Sequence, residues 1–216
     1  METGPNNNVG HTTEGNTEST VPYQNLIGNL MYLVQGTRPD IAFATHYLSE
    51  FNHCFTSTHW QMAKRVLRYL QGTKEVGITY TACAEPVVGY CDASWNESGK
   101  GKSRSAYVFT MSKGAISWKS TKQQLVALST CEAEYIAITE AIKEGKWVKT
   151  LFKELGFCKY GTESLEIKSD NQAAIRLIEN PAQHQRSKHI ALKYLFAIDT
   201  KSKAVIFSFP TYVQKI

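Results

Sequence analysis

Beyond residue 20 the chain carries two different hydrophobic rhythms. From Tyr23 to Val34 the apolar positions Leu26, Leu30, Leu33 and Val34 recur at helical spacing. Pro39 opens a second helix, with proline in its first turn and Ile41, Ala44 and Leu48 along one side. A third helix begins after Thr58, runs through Trp60, Ala63, Val66, Leu67 and Leu70, and stops at Gly72. Val76–Thr81 then reads as a strand. From Cys83 onward the rhythm shortens. Pro86–Ser94 (PVVGYCDAS) is β-branched and aromatic, as a buried strand is. Ser105–Ser112 and Ala115–Ser120 flank Lys113-Gly114 as a hairpin with glycine in the turn. A long helical pattern follows from Cys131 to Leu155, closed by Gly156. Leu165–Ser169 is a strand, Gln172–Glu179 a short helix ahead of Pro181, His189–Lys201 a further helix, and Ala204–Phe209 a last strand. The order β-β-β-α-β-α-α-β predicts an α/β fold, a mixed sheet with helices against it, preceded by a small helical block.

Residues 1–20 are Asn, Thr, Gly and Glu with almost nothing to bury, and they read as a disordered tail. Three segments follow: the tail, a helical segment over 21–82, and a sheet-bearing domain over 83–216. With 216 residues, 42% hydrophobic and 20% charged, the chain has enough apolar content for a real core, and disordered, collagenous and disulfide mini-scaffold classes are excluded. No apolar run approaches the roughly 20 residues of a membrane helix. Five scattered cysteines without a C-x-x-C pair argue against a disulfide framework or a zinc module, and with no secretory signal they point to an intracellular protein of cytoplasm or nucleus. The net charge of +5 is uneven: residues 1–20 hold three acids and no Lys or Arg, whereas 83–216 hold the largest basic excess. Such an excess suits a polyanionic partner.

Three carboxylates stand at element ends in the sheet-bearing part. Asp92 lies near the end of the first strand, on the face shared by Val88 and Tyr90. In the long helix, Ser129-x-x-Glu132 fits a capping box, which gives Glu132 a structural role. Glu134 instead falls on the line of Ile138, Ala141, Val148 and Phe152, an inward position where a carboxylate is costly unless paired or metal-bound. Asp170 ends a strand in SDNQAAI, where either it or Asn171 can cap the helix that follows. Oxygen ligands without Cys or His suit hard cations, Mg²⁺ or Mn²⁺. His184, Arg186, Lys188 and His189 crowd two imidazoles and two cations into six residues. They are read either as nucleic-acid contacts or as a solvated basic turn.

Together YCDASW (90–95), SxxEAEYIA (129–137), KSDNQAAI (168–175) and HxRSKHI (184–190) resemble the C-terminal part of a copia-type retrotransposon polyprotein. Upstream, YQNLIGNLMYL (23–33), TRPDIAFA (37–44) and THWQMAKRVLRYLQGT (58–73) resemble that family's segment between polymerase and ribonuclease H. The resemblance covers residues 21–209. It implies a ribonuclease H-like, five-stranded mixed sheet with flanking helices, and hydrolysis of the RNA strand of an RNA–DNA hybrid. It implies that Asp92, Glu134 and Asp170 are the catalytic, metal-binding carboxylates for two Mg²⁺ (or Mn²⁺) ions about 3.5–4 Å apart. Lys and Arg would neutralise phosphates, and recognition would rest on hybrid shape and 2′-hydroxyls. Residues 21–82 would be the helical remnant of the reverse-transcriptase connection region, without the polymerase itself.

Two departures accompany the resemblance. The family's K-H-I-D motif reads Lys188-His189-Ile190-Ala191 here, so the fourth carboxylate position holds a methyl group that cannot ligate. The family also continues past the final strand. The expectation is a truncated element or a gene derived from one. Its activity is that of a ribonuclease H, impaired or intact; the alternatives are a catalytically dead nucleic-acid-binding remnant, or a fold retained without a nucleic-acid role.

Overall fold

A computed structural model describes residues 21–82, 85–95, 102–157, 164–179 and 205–208. The expected tail at 1–20, the basic segment His184–His189 with Ala191, and the expected helix His189–Lys201 lie outside them.

The first layer is helical. Helix α1 (Tyr23–Gly36) buries Tyr23, Ile27, Leu30 and Val34. This stripe is turned from the expected one, because Tyr23 reaches across to donate its hydroxyl to the Leu48 carbonyl at 2.8 Å. Leu33 is left 37% exposed. Pro39 does open a helical turn, but a 3-10 one (Pro39–Ile41), continued by α2 (Ala42–Ser49). Helix α3 (Ser57–Gly72) starts ahead of the expected Thr58. Thr56 is its N-cap, and the His59 ring accepts the Thr56 backbone N–H at 3.0 Å, an imidazole in the role usually held by Glu or Gln.

The segment Val76–Thr81, expected as a strand, is not one. The Thr81 N–H bonds the Ser112 carbonyl at 2.9 Å and the Tyr80 hydroxyl bonds the Ala115 carbonyl at 2.7 Å. These contacts staple the segment to a hairpin end without building a ladder. The Tyr80 ring lies so close to Gly114 that a Cβ there would meet it at 2.4 Å.

Strands β1 (Val88–Ser94), β2 (Arg104–Met111), β3 (Gly114–Lys122), β4 (Leu165–Lys168) and β5 (Val205–Ser208) form one sheet in the order β3-β2-β1-β4-β5. The β1–β2 and β2–β3 pairs are antiparallel, and β1–β4 and β4–β5 are parallel. This is the expected five-stranded mixed sheet. The hairpin differs in one detail. Its positive-φ residues are Ser112 (52°) and Lys113 (67°), the pattern of a primed two-residue turn, and Gly114 already begins β3.

Helix α4 (Thr130–Glu154) packs on β1 and β2, and α5 (Gln172–Glu179) follows β4. Between Ala133 and Thr139 every residue of α4 is buried, so this half is enclosed on all sides rather than along one stripe. The C-terminus closes as expected at Gly156 (φ 80°): the Gly156 N–H bonds the Lys153 carbonyl and the Phe157 N–H bonds the Phe152 carbonyl. That is the Schellman pattern, with the Phe152 and Phe157 rings in contact.

Phe109, fully buried, occupies the space between α4 and the sheet. A Cβ on Gly89 of β1 would approach it to 2.5 Å, and a Cβ on Gly145 of α4 would meet Leu165 at 2.1 Å. Two missing side chains thus let the helix lie close to the sheet. The helical layer joins this body along β3: Trp118 donates to the Val34 carbonyl at 2.7 Å, and Glu50, just after α2, accepts from both Arg104 and Lys122.

Candidate metal centre

Strands β1 and β4 are parallel neighbours with Tyr90 opposite Lys168. Two residues further along each chain stand Asp92 and Asp170, side by side at the carboxyl ends of the strands. The tight seating of α4 over β1 brings Glu134 down onto the same spot. One carboxylate oxygen from each of Asp92, Glu134 and Asp170 lies within 4.8 Å of the other two. Asp92 and Asp170 are exposed, while Glu134 is 7% exposed.

The local structure frees these side chains. Asn171 caps α5, its Oδ1 accepting the Ala174 N–H at 2.9 Å, so the choice left open between Asp170 and Asn171 is settled and Asp170 faces the cluster. Ser129 caps α4 by accepting the Glu132 N–H. Glu132 does reach back, but to the Leu128 N–H at 2.7 Å rather than to the cap's own backbone. It is thereby held away from the cluster, while Glu134 points in.

Glu134 is electrostatically strained. Burial pushes its carboxyl up to about 8, Asp92 and Asp170 push the same way, and a hydrogen bond from the Ala93 backbone opposes them. Its Oε2 is buried with no hydrogen-bond partner among the described residues. Burial and the same three carboxylates also raise the thiol of Cys91, which sits one residue from Asp92 and bonds the Lys168 carbonyl. An orphaned buried carboxylate oxygen beside two more carboxylates, with oxygen the only donor element, fits a hard divalent cation.

Several supporting groups gave no signal in the sequence. Gln123, 5% exposed, donates to the Ala133 carbonyl at 2.9 Å and to Ser105 at 2.8 Å, tying the first turn of α4 to β2 beside Glu134. Gly89 and Gly145 read as ordinary glycines until Phe109 is placed between them. The basic group His184, Arg186, Lys188 and His189, and the Ala191 position, fall outside the described residues.

The five-stranded mixed sheet with flanking helices is a ribonuclease H-like fold. The chain is homologous to a segment of the retrovirus-related Pol polyproteins of plant transposons. It is 42% identical over 175 residues to the Pol polyprotein of transposon TNT 1-94 from Nicotiana tabacum, a match covering 81% of this chain and 13% of that one. It is 46% identical over 130 residues to secreted RxLR effector protein 161 of Plasmopara viticola, covering 59% of this chain and 92% of that one. The chain therefore spans a small part of the transposon polyproteins it matches and nearly the whole of the shorter relative. Among solved structures it is similar to RNase H1 of Halobacterium salinarum, at 14% identity and a TM-score of 0.42, covering 58% of this chain and 86% of that one. No protein-family model matches the chain. No described helix is long and apolar enough to cross a membrane.

Proposed function

We propose that the chain is a metal-dependent endonuclease of the ribonuclease H type that hydrolyses the RNA strand of RNA–DNA hybrids. The observation that carries this reading is the convergence of Asp92, Glu134 and Asp170 with Glu134 Oε2 buried and unpartnered. Asp92, Glu134 and Asp170 hold divalent cations, Mg²⁺ or Mn²⁺, two in the full site. When bound, these supply charge neutralisation at the phosphate and lower the pKa of the attacking water. The protein's part is to keep three carboxylates within reach of one another before any ion arrives. Asp92 and Asp170 are fixed by the strand register, Glu134 by the enclosed first half of α4 and by the Ala93 N–H. The exposed pair faces the substrate side, and the buried glutamate backs it.

Residues 21–82 are assigned on this reading to the helical connection segment and 83–216 to the nuclease domain. A second reading is favoured by one sequence feature, Ala191 at the family's fourth carboxylate position: a protein that binds hybrids without cutting them. A single assay separates the two, cleavage of a labelled RNA–DNA hybrid in Mg²⁺ or Mn²⁺ by wild type, Asp92→Asn and Ala191→Asp. Cleavage by wild type that is lost in Asp92→Asn supports the nuclease. Inert wild type with active Ala191→Asp supports the binding protein.

A further inference from the structure

Helix α3 (Ser57–Gly72) contains no acidic residue. Ala63 and Val66 are buried, with Trp60 and Leu70 partly so. At about 100° per residue, Lys64, Arg65 and Arg68 with Gln61 and Gln71 occupy the opposite side, and all five are exposed. Lys64 and Arg68 are four residues apart, and Arg65 and Arg68 three, so like charges face each other along the helix, at a cost of a few tenths of a kcal/mol per pair. Among the described residues none of these three cations is in an ion pair. Lys64 lies over the Trp60 ring, 5.8 Å from its centroid.

The carboxylates that could neutralise this face are engaged elsewhere. Residues 21–82 contain three acids, Asp40, Glu50 and Glu75. Asp40 is held by Arg38 at 2.7 Å and by the Tyr69 hydroxyl at 2.9 Å. Glu50 is shared by Arg104 and Lys122 of the sheet. The outward field of the helical layer is therefore set by the α3 cations and Lys74, with Glu75 alone opposing them.

We propose that this face of α3 is a duplex nucleic-acid contact surface that grips the phosphate backbone independently of sequence. The choice of polyanion rests on the hybrid-cleaving reading above. Three cations clustered on one exposed helix face, with amide donors beside them and no acid, suit a phosphate backbone. Helix α3 follows α2, and Glu50, just after α2, grips Arg104 and Lys122 at the Ser94–Arg104–Lys122 end of the sheet. Asp92 lies two residues along β1 from that end.

The test is binding of a short fluorescent RNA–DNA hybrid to the full chain, in EDTA so that no cleavage intervenes, across a salt series. The triple variant Lys64→Gln/Arg65→Gln/Arg68→Gln is expected to bind roughly tenfold or more weakly at low salt, with the slope of log K against log salt reduced by about 2 to 3. A control triple variant, Lys113→Gln/Lys143→Gln/Lys153→Gln, removes the same charge from exposed positions elsewhere and is expected to keep the wild-type slope. Circular dichroism melting checks that both variants fold. Wild-type binding with an unchanged slope in the α3 variant overturns this proposal and leaves the nuclease reading standing. An equal loss in the control overturns it as well, as does competition by polyglutamate equal to that by unlabelled hybrid, which would make the face a reader of acidic protein. Wild type that binds no hybrid at low salt removes the nuclease reading itself.

Discussion

The two layers of this molecule handle buried charge in opposite ways. In the helical layer Arg38, 7% exposed, sits among Asp40, the Thr73 hydroxyl and the Thr73 carbonyl, and the Tyr69 hydroxyl completes Asp40. Arg38 lowers the Asp40 pKa, chiefly through their hydrogen bonds, against the opposing effect of burial. Each charge has its opposite, and the network ties the 3-10 turn to the end of α3. Beside the sheet, three carboxylates meet with no cation in hydrogen-bond contact among the described residues, and burial drives Glu134 toward neutrality. The same residue types yield a brace in one place and a ligand-demanding site in the other. What separates them is whether the protein supplies the counter-charge. A fold that leaves it out holds a site whose stability and activity pull against each other.

The largest expected effect lies on the activity side of that contrast. Asp170→Asn keeps shape and removes charge, and is expected to lower hybrid cleavage on the order of 10²–10³-fold, as loss of one preorganised electrostatic group does, while leaving the thermal midpoint unchanged or higher. Single-turnover cleavage and a melting curve on the same preparation measure both. A variant that is both inactive and strongly destabilised would show Asp170 to be a structural residue and collapse the distinction between the layers.

Next in size is the reverse experiment on the brace. Asp40→Ala leaves the Arg38 guanidinium buried without its carboxylate. The expected cost is about 3 kcal/mol, or a fall in Tm of roughly 6–12 °C for a chain of this size. Cleavage per folded molecule, measured well below that midpoint, is expected to stay within about twofold of wild type. A loss of activity without a loss of stability would mean that the helical layer shapes the centre directly.

A third prediction concerns pH. Glu134 has a folded pKa of about 8 against an ordinary 4.5, so the folded chain holds this proton more tightly than the unfolded one. The stability it contributes is complete below about pH 4.5 and is lost as pH rises through 8. In EDTA, Glu134→Gln is expected to melt with wild type near pH 4.5 and to exceed it at pH 9 by a few kcal/mol, the gap opening as pH rises toward 8. Added Mg²⁺ is expected to raise the wild-type midpoint at pH 8 and to move the variant less. Equal midpoints in EDTA at pH 9 would show that the cluster is relaxed without an ion.

These contrasts were unevenly legible in the sequence. The sheet, its strand order along the chain and the inward position of Glu134 all follow from local periodicity, because alternation and the 3.6-residue repeat each act within one element. The capping role of Ser129 was readable for the same reason. The meeting of Asp92, Glu134 and Asp170 could be raised from their places at element ends but was implied outright only by the resemblance, since no local pattern carries a distance between elements. Val76–Thr81 misled because its β-branched and aromatic residues suit a strand, yet it reaches the hairpin end through the Thr81 N–H to Ser112 and the Tyr80 hydroxyl to Ala115 and forms no strand. The hairpin misled because glycine is the usual positive-φ residue. Here Ser112 and Lys113 take that conformation, and Gly114 is needed for the Tyr80 ring instead. Gly89, Gly145 and Gln123 were silent, because their roles are set by Phe109 and by the first turn of α4, which are distant in sequence.

The smallest effect tests how two adjacent residues divide their labour. Asp170 and Asn171 are both good caps by type, yet only Asn171 bonds the Ala174 N–H. Asn171→Ala is expected to cost about 1 kcal/mol and to shift Tm down by roughly 2–4 °C. If Asp170 then swings into the vacated cap, it leaves Asp92 and Glu134. The signature would be a lost cap with little loss of stability but a marked loss of divalent-ion affinity, measured by calorimetric titration. Asn171→Ser keeps a capping oxygen and is expected to restore the affinity. Stability lost with affinity unchanged would show that Asp170 is held in the cluster by the β1–β4 register alone, making the strand ends, and not the helix cap, the device that builds the centre.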